Sequence, residues 1–261
     1  MSGCPFENSE ESRMTVRKYS DDTLFDGRLI CMQHKRGYRF SIDAVLLAHF
    51  IKLRPDSQVL DIGGGCGVIS LILAYRYQLV GITVLELQDD LVELIRRNIE
   101  RNDAQVDGFK ERIEVVHGDL RIIDQYVQAG GYDWVVCNPP YRRSGSGRVN
   151  PASKKAVARH ELQADLKGVV AACAYGARSR GRVALVFPAV RGVSLFYEMR
   201  NQGLEPKKLQ VVYSYPGSAA RLLLVEAMKG GGEELTIESP LYIYKEKDGD
   251  YTAEMAECYE P

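Results

Sequence analysis

The chain has 261 residues, of which 45% are apolar and 26% charged, with a formal charge of −1. That composition belongs to a soluble globular protein and excludes a fibre, a disordered chain and a uniformly basic surface, so any nucleic acid must be held by a local patch. No apolar run reaches the roughly 18 residues a membrane helix needs, and Glu7, Glu10 and Glu11 stand where a signal peptide needs an apolar core; a cytoplasmic protein without a membrane partner is expected.

Residues 1 to about 20 are polar and mixed in charge, the composition of a mobile arm. Leu29–Gln33 and Tyr38–Phe40, separated by His34-Lys35-Arg36-Gly37, predict a short hairpin. Ser41 stands where it can cap a helix with Asp43 in its first turn, Ile42, Val45, Leu46 and Phe50 on one face, and Pro55 closing it. Residues 1–54 therefore read as an arm, hairpin and helix packed on a main domain of residues 55–261.

From Gln58 strand and helix alternate, the mark of a parallel sheet covered on both faces. Strands are predicted over Val59–Ile62, Ile82–Glu86, Ile113–Val116, Tyr132–Cys137 and Val183–Phe187. Helices are predicted over Val68–Tyr77, Gln88–Asn102, Ile122–Gln128, Leu162–Ala177 and Val190–Gln202, the last closed by Gly203. Leu209–Tyr213 and Leu222–Ala227 are joined only by Ser214–Arg221, too short for a parallel crossover, so they should be antiparallel neighbours. The result is an α/β sheet of seven strands with one reversed at the end, the last strand pair being antiparallel. Leu241–Tyr244 is a further extended stretch in the tail.

Asp61-Ile62-Gly63-Gly64-Gly65-Cys66-Gly67 lies between a strand and a helix, where glycines allow a sharp turn and close approach of a ligand. Neither frame of the loop fits the G-x-G-x-x-G of dinucleotide enzymes. The form is D-x-G-x-G-x-G, and it resembles the cofactor loop of S-adenosylmethionine-dependent methyltransferases. Glu86 ends the second strand, where a carboxylate can accept from both hydroxyls of a ribose. Asp119, after the third strand, can accept from an adenine amino group or cap the following helix.

The fourth strand stops at Asn138-Pro139-Pro140-Tyr141, because neither proline has an N–H to give a ladder. At the carboxyl end of an α/β strand ligands bind. An amide oxygen and a carbonyl there can hold an exocyclic NH2 group, and a tyrosine face can stack on a planar base or amide. A strand-ending turn accounts for the same prolines. Beyond Tyr141, the cations Arg142, Arg143, Arg148, Lys154, Lys155 and Arg159 run without an acidic residue until Glu161, interleaved with Gly145 and Gly147. Such a loop is either solvated surface or a contact for RNA phosphates. Six cysteines and four histidines show no C-x-x-C and no ligand-like spacing, so reduced thiols and no metal are expected.

The glycine loop, the acidic strand end and Asn-Pro-Pro-Tyr, in that order, resemble the amino-group methyltransferases acting on adenine N6, cytosine N4 or glutamine N5. The likeness extends to Gly37–Ala48, Ala158–Glu161, Leu224–Gly230 and Pro240–Tyr244, which look like the bacterial tRNA(Val) adenine-N6 methyltransferase family. The resemblance implies a class I, Rossmann-like methyltransferase sheet, S-adenosylmethionine as cofactor with S-adenosylhomocysteine as product, and tRNA or another structured RNA as partner, with no obligate protein partner evident. It implies that Asp61, Gly63, Gly65, Glu86 and Asp119 line the cofactor and that Asn138 and Pro139 hold the target amino group. Tyr141 would stack on the base, with Pro140 and the basic loop as further substrate contacts, while Phe40 and Asp43 would close over the methionine end. Two alternatives stay open at this level: methylation of a protein glutamine, and a non-catalytic cofactor-binding module that binds nucleic acid.

Overall fold

The computed structural model describes residues 19–35, 41–104, 108–139 and 166–260. The chain opens with β1 (Tyr19–Leu24) and β2 (Leu29–His34), an antiparallel pair in which Tyr19 faces His34 and Leu24 faces Leu29. The hairpin thus forms one strand earlier than expected: β2 pairs with upstream residues, while Tyr38–Phe40 lies outside the described residues. The turn explains it. Phe25, Asp26 and Gly27 all adopt positive φ, at 54°, 53° and 81°, and Asp-Gly is a strong hairpin signal. Phe25 is then buried in a stack on Tyr75, 4.6 Å between centroids, and its N–H donates to the Tyr259 carbonyl.

Helix α1 (Ile42–Phe50) begins after Ser41, which stands at the cap position without a side-chain cap bond, and stops at Phe50, ahead of Pro55. It buries Asp43 through Ala48 and Phe50 rather than one face, because it is covered both by α2 (Val68–Arg76) and by the sheet.

The main sheet contains β3 (Gln58–Ile62), β4 (Gly81–Glu86), β5 (Ile113–His117), β6 (Tyr132–Cys137), β7 (Ala177–Pro188), β8 (Leu204–Tyr213) and β9 (Ala220–Lys229), in the spatial order β8-β9-β7-β6-β3-β4-β5. The strands from β7 to β5 are parallel, and β9 runs antiparallel to both β7 and β8. This is the expected seven-stranded Rossmann-like arrangement with the last strand pair antiparallel; the reversed β9 lies between β7 and β8 rather than at the edge. Two short strands, β10 (Thr236–Ile237) and β11 (Leu241–Tyr242), add in parallel to the outer edge of β8.

Successive strand residues face opposite layers. Val59, Val84 and Val136 join α1, α2 and α3 (Asp89–Asp103) in one core; Leu60, Leu85 and Val135 join α5 (Leu166–Gly176) and α6 (Gly192–Asn201) in the other. Between them in sequence lies α4 (Phe109–Arg112). The short helix expected over Ile122–Gln128 is instead a 3-10 segment, Leu120–Gln125, broken at Ile122. β7 is longer than predicted. Ala177 pairs with Tyr132 but Arg182 with Trp134, so Arg178–Gly181 bulges out, with Arg180 at φ 61°.

Candidate functional site

Chain order reverses direction at β3, whose neighbours are β4 on one side and β6 on the other, and ligands bind at such a switch point. Ile62 pairs with Leu85 and with Cys137, so the next residues outward are Gly63, Glu86 and Asn138, side by side on three strands. With strands about 4.8 Å apart, Glu86 and Asn138 flank the mouth of the glycine loop roughly 10 Å from each other. β5 extends the line, since Glu86 pairs with His117.

Hydrogen bonds set the loop. The Gly63 N–H donates to the Leu85 carbonyl at 2.7 Å, the Gly65 N–H to Glu86 Oε2 at 2.9 Å and the Gly67 N–H to the Gly64 carbonyl at 2.8 Å. Gly63, Gly65 and Gly67 have φ of 73°, 63° and 85°, a region costly for any residue with a side chain. Gly64 is required for a different reason: a Cβ there would sit inside the van der Waals shell of Val84 Cγ1. Over Gly63, by contrast, a Cβ would meet open space within 4 Å.

Glu86 is nearly fully buried and also accepts from the N–H groups of Leu87 and Gln88, at 2.9 and 3.0 Å. Burial raises its pKa against the pull of those donors. Asp61 is 0% exposed. Ser70 Oγ donates to its Oδ2 at 2.7 Å, but its Oδ1 is buried with no partner. Burial, with the Glu86 carboxylate adding repulsion and Ser70 opposing, pushes Asp61 up to about 7. Asp43 is likewise buried, with an Oδ1 that has no partner. Buried carboxylate oxygens without donors are rare in a finished core; these fit a pocket that receives donors from a ligand.

The family model described as "Methyltransferase small domain" matches residues 40–164. A curated relative from Tolumonas auensis, named tRNA1(Val) (adenine(37)-N6)-methyltransferase, is 29% identical over 224 residues, covering 85% of this chain and 89% of its own. One of the same name from Dyadobacter fermentans is 26% identical over 208 residues, covering 79% and 82%. Among solved structures, a predicted O-methyltransferase from Agrobacterium tumefaciens superposes with a TM-score of 0.68 at 20% identity, over 83% of this chain and 95% of that one. By family model, by relatives and by fold, this chain resembles the class I S-adenosylmethionine-dependent methyltransferases.

The described residues fit S-adenosylmethionine: an open approach over Gly63, a buried acidic strand end at Glu86, and unpartnered acceptors on Asp61 and Asp43 for ammonium or hydroxyl donors. Asp119 is differently placed. Its carboxylate accepts from the Arg121 backbone N–H at 2.9 Å and from Arg121 Nε at 2.9 and 2.8 Å, with Nη2 closing the clamp. The Arg121 side chain holds its pKa below the usual carboxylate range. Asp119 thus caps the 3-10 segment, the second of the two roles expected for it. Asn138 is half-buried and Pro139 buried at the end of β6. Phe40, Pro140, Tyr141, Arg142, Arg143, Arg148, Lys154 and Lys155 lie outside the described residues.

Sequence reasoning missed Ser70, Arg121, Asn98 and Asn102. Asn98 and Asn102 carried a signal: spaced four apart, both fall on the apolar face formed by Leu91, Leu94, Ile95 and Ile99, where amides are out of place.

Proposed function

We propose that this chain is a methyltransferase acting on an exocyclic amino nitrogen, adenine N6 in tRNA. One observation carries the reading: the sheet register sets Asn138 immediately beside Gly63 and two strands from Glu86, with the glycine loop between them. An amide acceptor is thereby held at the rim of the cofactor pocket. The tRNA-modifying names of the relatives and the cation-rich segment after Tyr141 support RNA over a protein glutamine. A tRNA substrate also agrees with a cytoplasmic location.

An adenine amino nitrogen is a weak nucleophile because its lone pair is delocalised into the ring. In this reading the Asn138 side-chain oxygen and the Pro139 carbonyl accept its two N–H bonds. They hold the nitrogen pyramidal and stabilise the positive charge that develops on it. The cofactor supplies an electrophilic methyl group on a sulfonium centre when bound. Tyr141 stacks on the base, which must be looped out to reach the pocket. Pro140, Arg142, Arg143, Arg148, Lys154 and Lys155 meet the RNA. Asp61, Gly63, Gly65, Glu86, Phe40 and Asp43 line the cofactor, and Asp119 reaches its adenine only by exchanging Arg121. In this reading residues 55–261 are the methyltransferase domain and residues 1–54 its N-terminal unit, of which the hairpin and α1 share the domain's core. No metal takes part.

Asn138→Ala tests the assignment. Turnover should fall by about a hundredfold or more, while S-adenosylhomocysteine binds as it does to the wild type. Equal turnover of variant and wild type would overturn the role of Asn138.

A further inference from the structure

The N-terminal hairpin is fastened by an unusual device on α3. β2 pairs with β1 along one edge; along the other, Ile30 and Met32 present their N–H and C=O groups to two buried asparagines. Asn102 Oδ1 accepts from the Ile30 N–H at 2.8 Å and its Nδ2 donates to the Ile30 carbonyl at 2.7 Å. Asn98 repeats the pair on Met32, at 2.8 and 2.9 Å. Both residues are 0% exposed. The match is geometric. Two residues along a strand advance about 6.6 Å and four along a helix about 6 Å, so amides at i and i+4 stand in for an adjoining strand.

The two amides differ in their remaining donor. Asn102 Nδ2 turns back to the Asn98 carbonyl of its own helix at 2.7 Å. Asn98 Nδ2 donates at 2.9 Å to the carbonyl of Cys66, within the glycine loop. Cys66 lies between Gly65 and Gly67, both at positive φ. Gly63 and Gly65 donate to Leu85 and Glu86 of β4 and Gly67 donates to Gly64 within the loop, whereas Asn98 ties the loop to α3 and β2. Cys31 of β2 packs at the same point, its Sγ 3.6 Å from that of Cys66.

We propose that Asn98 is a positioning residue for the cofactor loop, joining it to the N-terminal hairpin through a single amide, so that cofactor affinity depends on attachment of the hairpin at Met32. By reciprocity, filling the pocket must tighten the hairpin. The inference rests on the glycine loop being the cofactor site. It adds a residue that touches neither cofactor nor substrate.

Asn102 supplies the control, because each amide makes two hydrogen bonds to β2 and one to another backbone carbonyl, Asn98 adding only a long 3.9 Å contact to Cys31 Sγ, and their loss leaves buried groups unpaired. Binding of S-adenosylhomocysteine to wild type, Asn98→Ala and Asn102→Ala is measured by calorimetry beside the melting temperature of each. We expect similar losses of thermal stability, a dissociation constant raised about tenfold or more in Asn98→Ala, and a change within about threefold in Asn102→Ala. Equal weakening in both variants overturns the proposal. If wild type fails to bind, the cofactor site itself is wrong and the proposal falls with it. Hydrogen exchange on the wild type serves should Asn98→Ala not fold: S-adenosylhomocysteine must slow exchange at the Ile30 and Met32 amides, and unchanged rates there overturn the coupling.

Discussion

Replacing Asp61 with asparagine should strengthen the fold and weaken the site. The substitution keeps the shape and leaves an oxygen to accept from Ser70 Oγ, but removes the charge. The folded protein holds Asp61 at about 7 against an ordinary value of 3.8. A carboxyl raised on folding contributes stability that is complete below the unfolded value and is lost as pH climbs through the folded one. The span from 3.8 to about 7 corresponds to about 4 kcal/mol of penalty once the group is ionised, an upper bound for a site that can relax. Without cofactor at pH 8, Asp61→Asn should therefore melt several degrees above wild type, with the gap closing as pH approaches about 4. The same variant should bind S-adenosylhomocysteine at least about tenfold more weakly, because the unpartnered Oδ1 loses its charge. Calorimetric melting across pH 4 to 8 reads the first effect and titration calorimetry the second. An asparagine variant no more stable than wild type at pH 8, with the same pH slope, would refute the claim that this buried charge is held at the fold's expense.

Other perturbations follow from the same geometry. Gly64→Ala should push the loop off Val84, costing about 1–3 kcal/mol of stability and most cofactor affinity; unaltered binding would show that the loop tolerates the methyl. His49 is mostly buried with Nε2 unpartnered, and burial, followed by Arg76 and Lys52, lowers its pKa to about 4 from 6.5. A base depressed in this way leaves stability intact above 6.5 and removes up to about 3 kcal/mol as pH falls through about 4. His49→Leu should flatten that acid limb in denaturant melts, and an identical limb would clear His49 of the effect. Changing Arg142 and Arg143 together to Glu should raise the KM for tRNA, with the salt dependence of KM reduced; an unchanged KM at low salt would remove that segment from the RNA surface.

The parts of the site legible in the sequence are those whose need is local. Positive φ at Gly63, Gly65 and Gly67 follows from a tight strand-to-helix turn, and Glu86 and Asn138 are marked by standing where strands end. The antiparallel pairing of β8 and β9 was readable because the link between them is too short for a parallel crossover. What could not be read depends on partners far along the chain. β1 is rich in aspartate and lacks an apolar alternation; its Asp21 meets Arg101, 80 residues away. Asn98 and Asn102 serve a strand some 70 residues upstream, at separations of 66 and 72. Asp119 was ambiguous between ligand and cap, and only the position of Arg121 decides which partner it holds in this state.

In the proposed reaction the amide of Asn138, just past β6, presents an adenine amino group for methylation. Purified protein is incubated with methyl-labelled S-adenosylmethionine and either unmodified tRNA or protein extract. The products are hydrolysed and resolved by mass spectrometry. Label is expected in N6-methyladenosine from tRNA, abolished by Asn138→Ala. Label in glutamine, in another nucleoside or in neither pool would contradict that reaction.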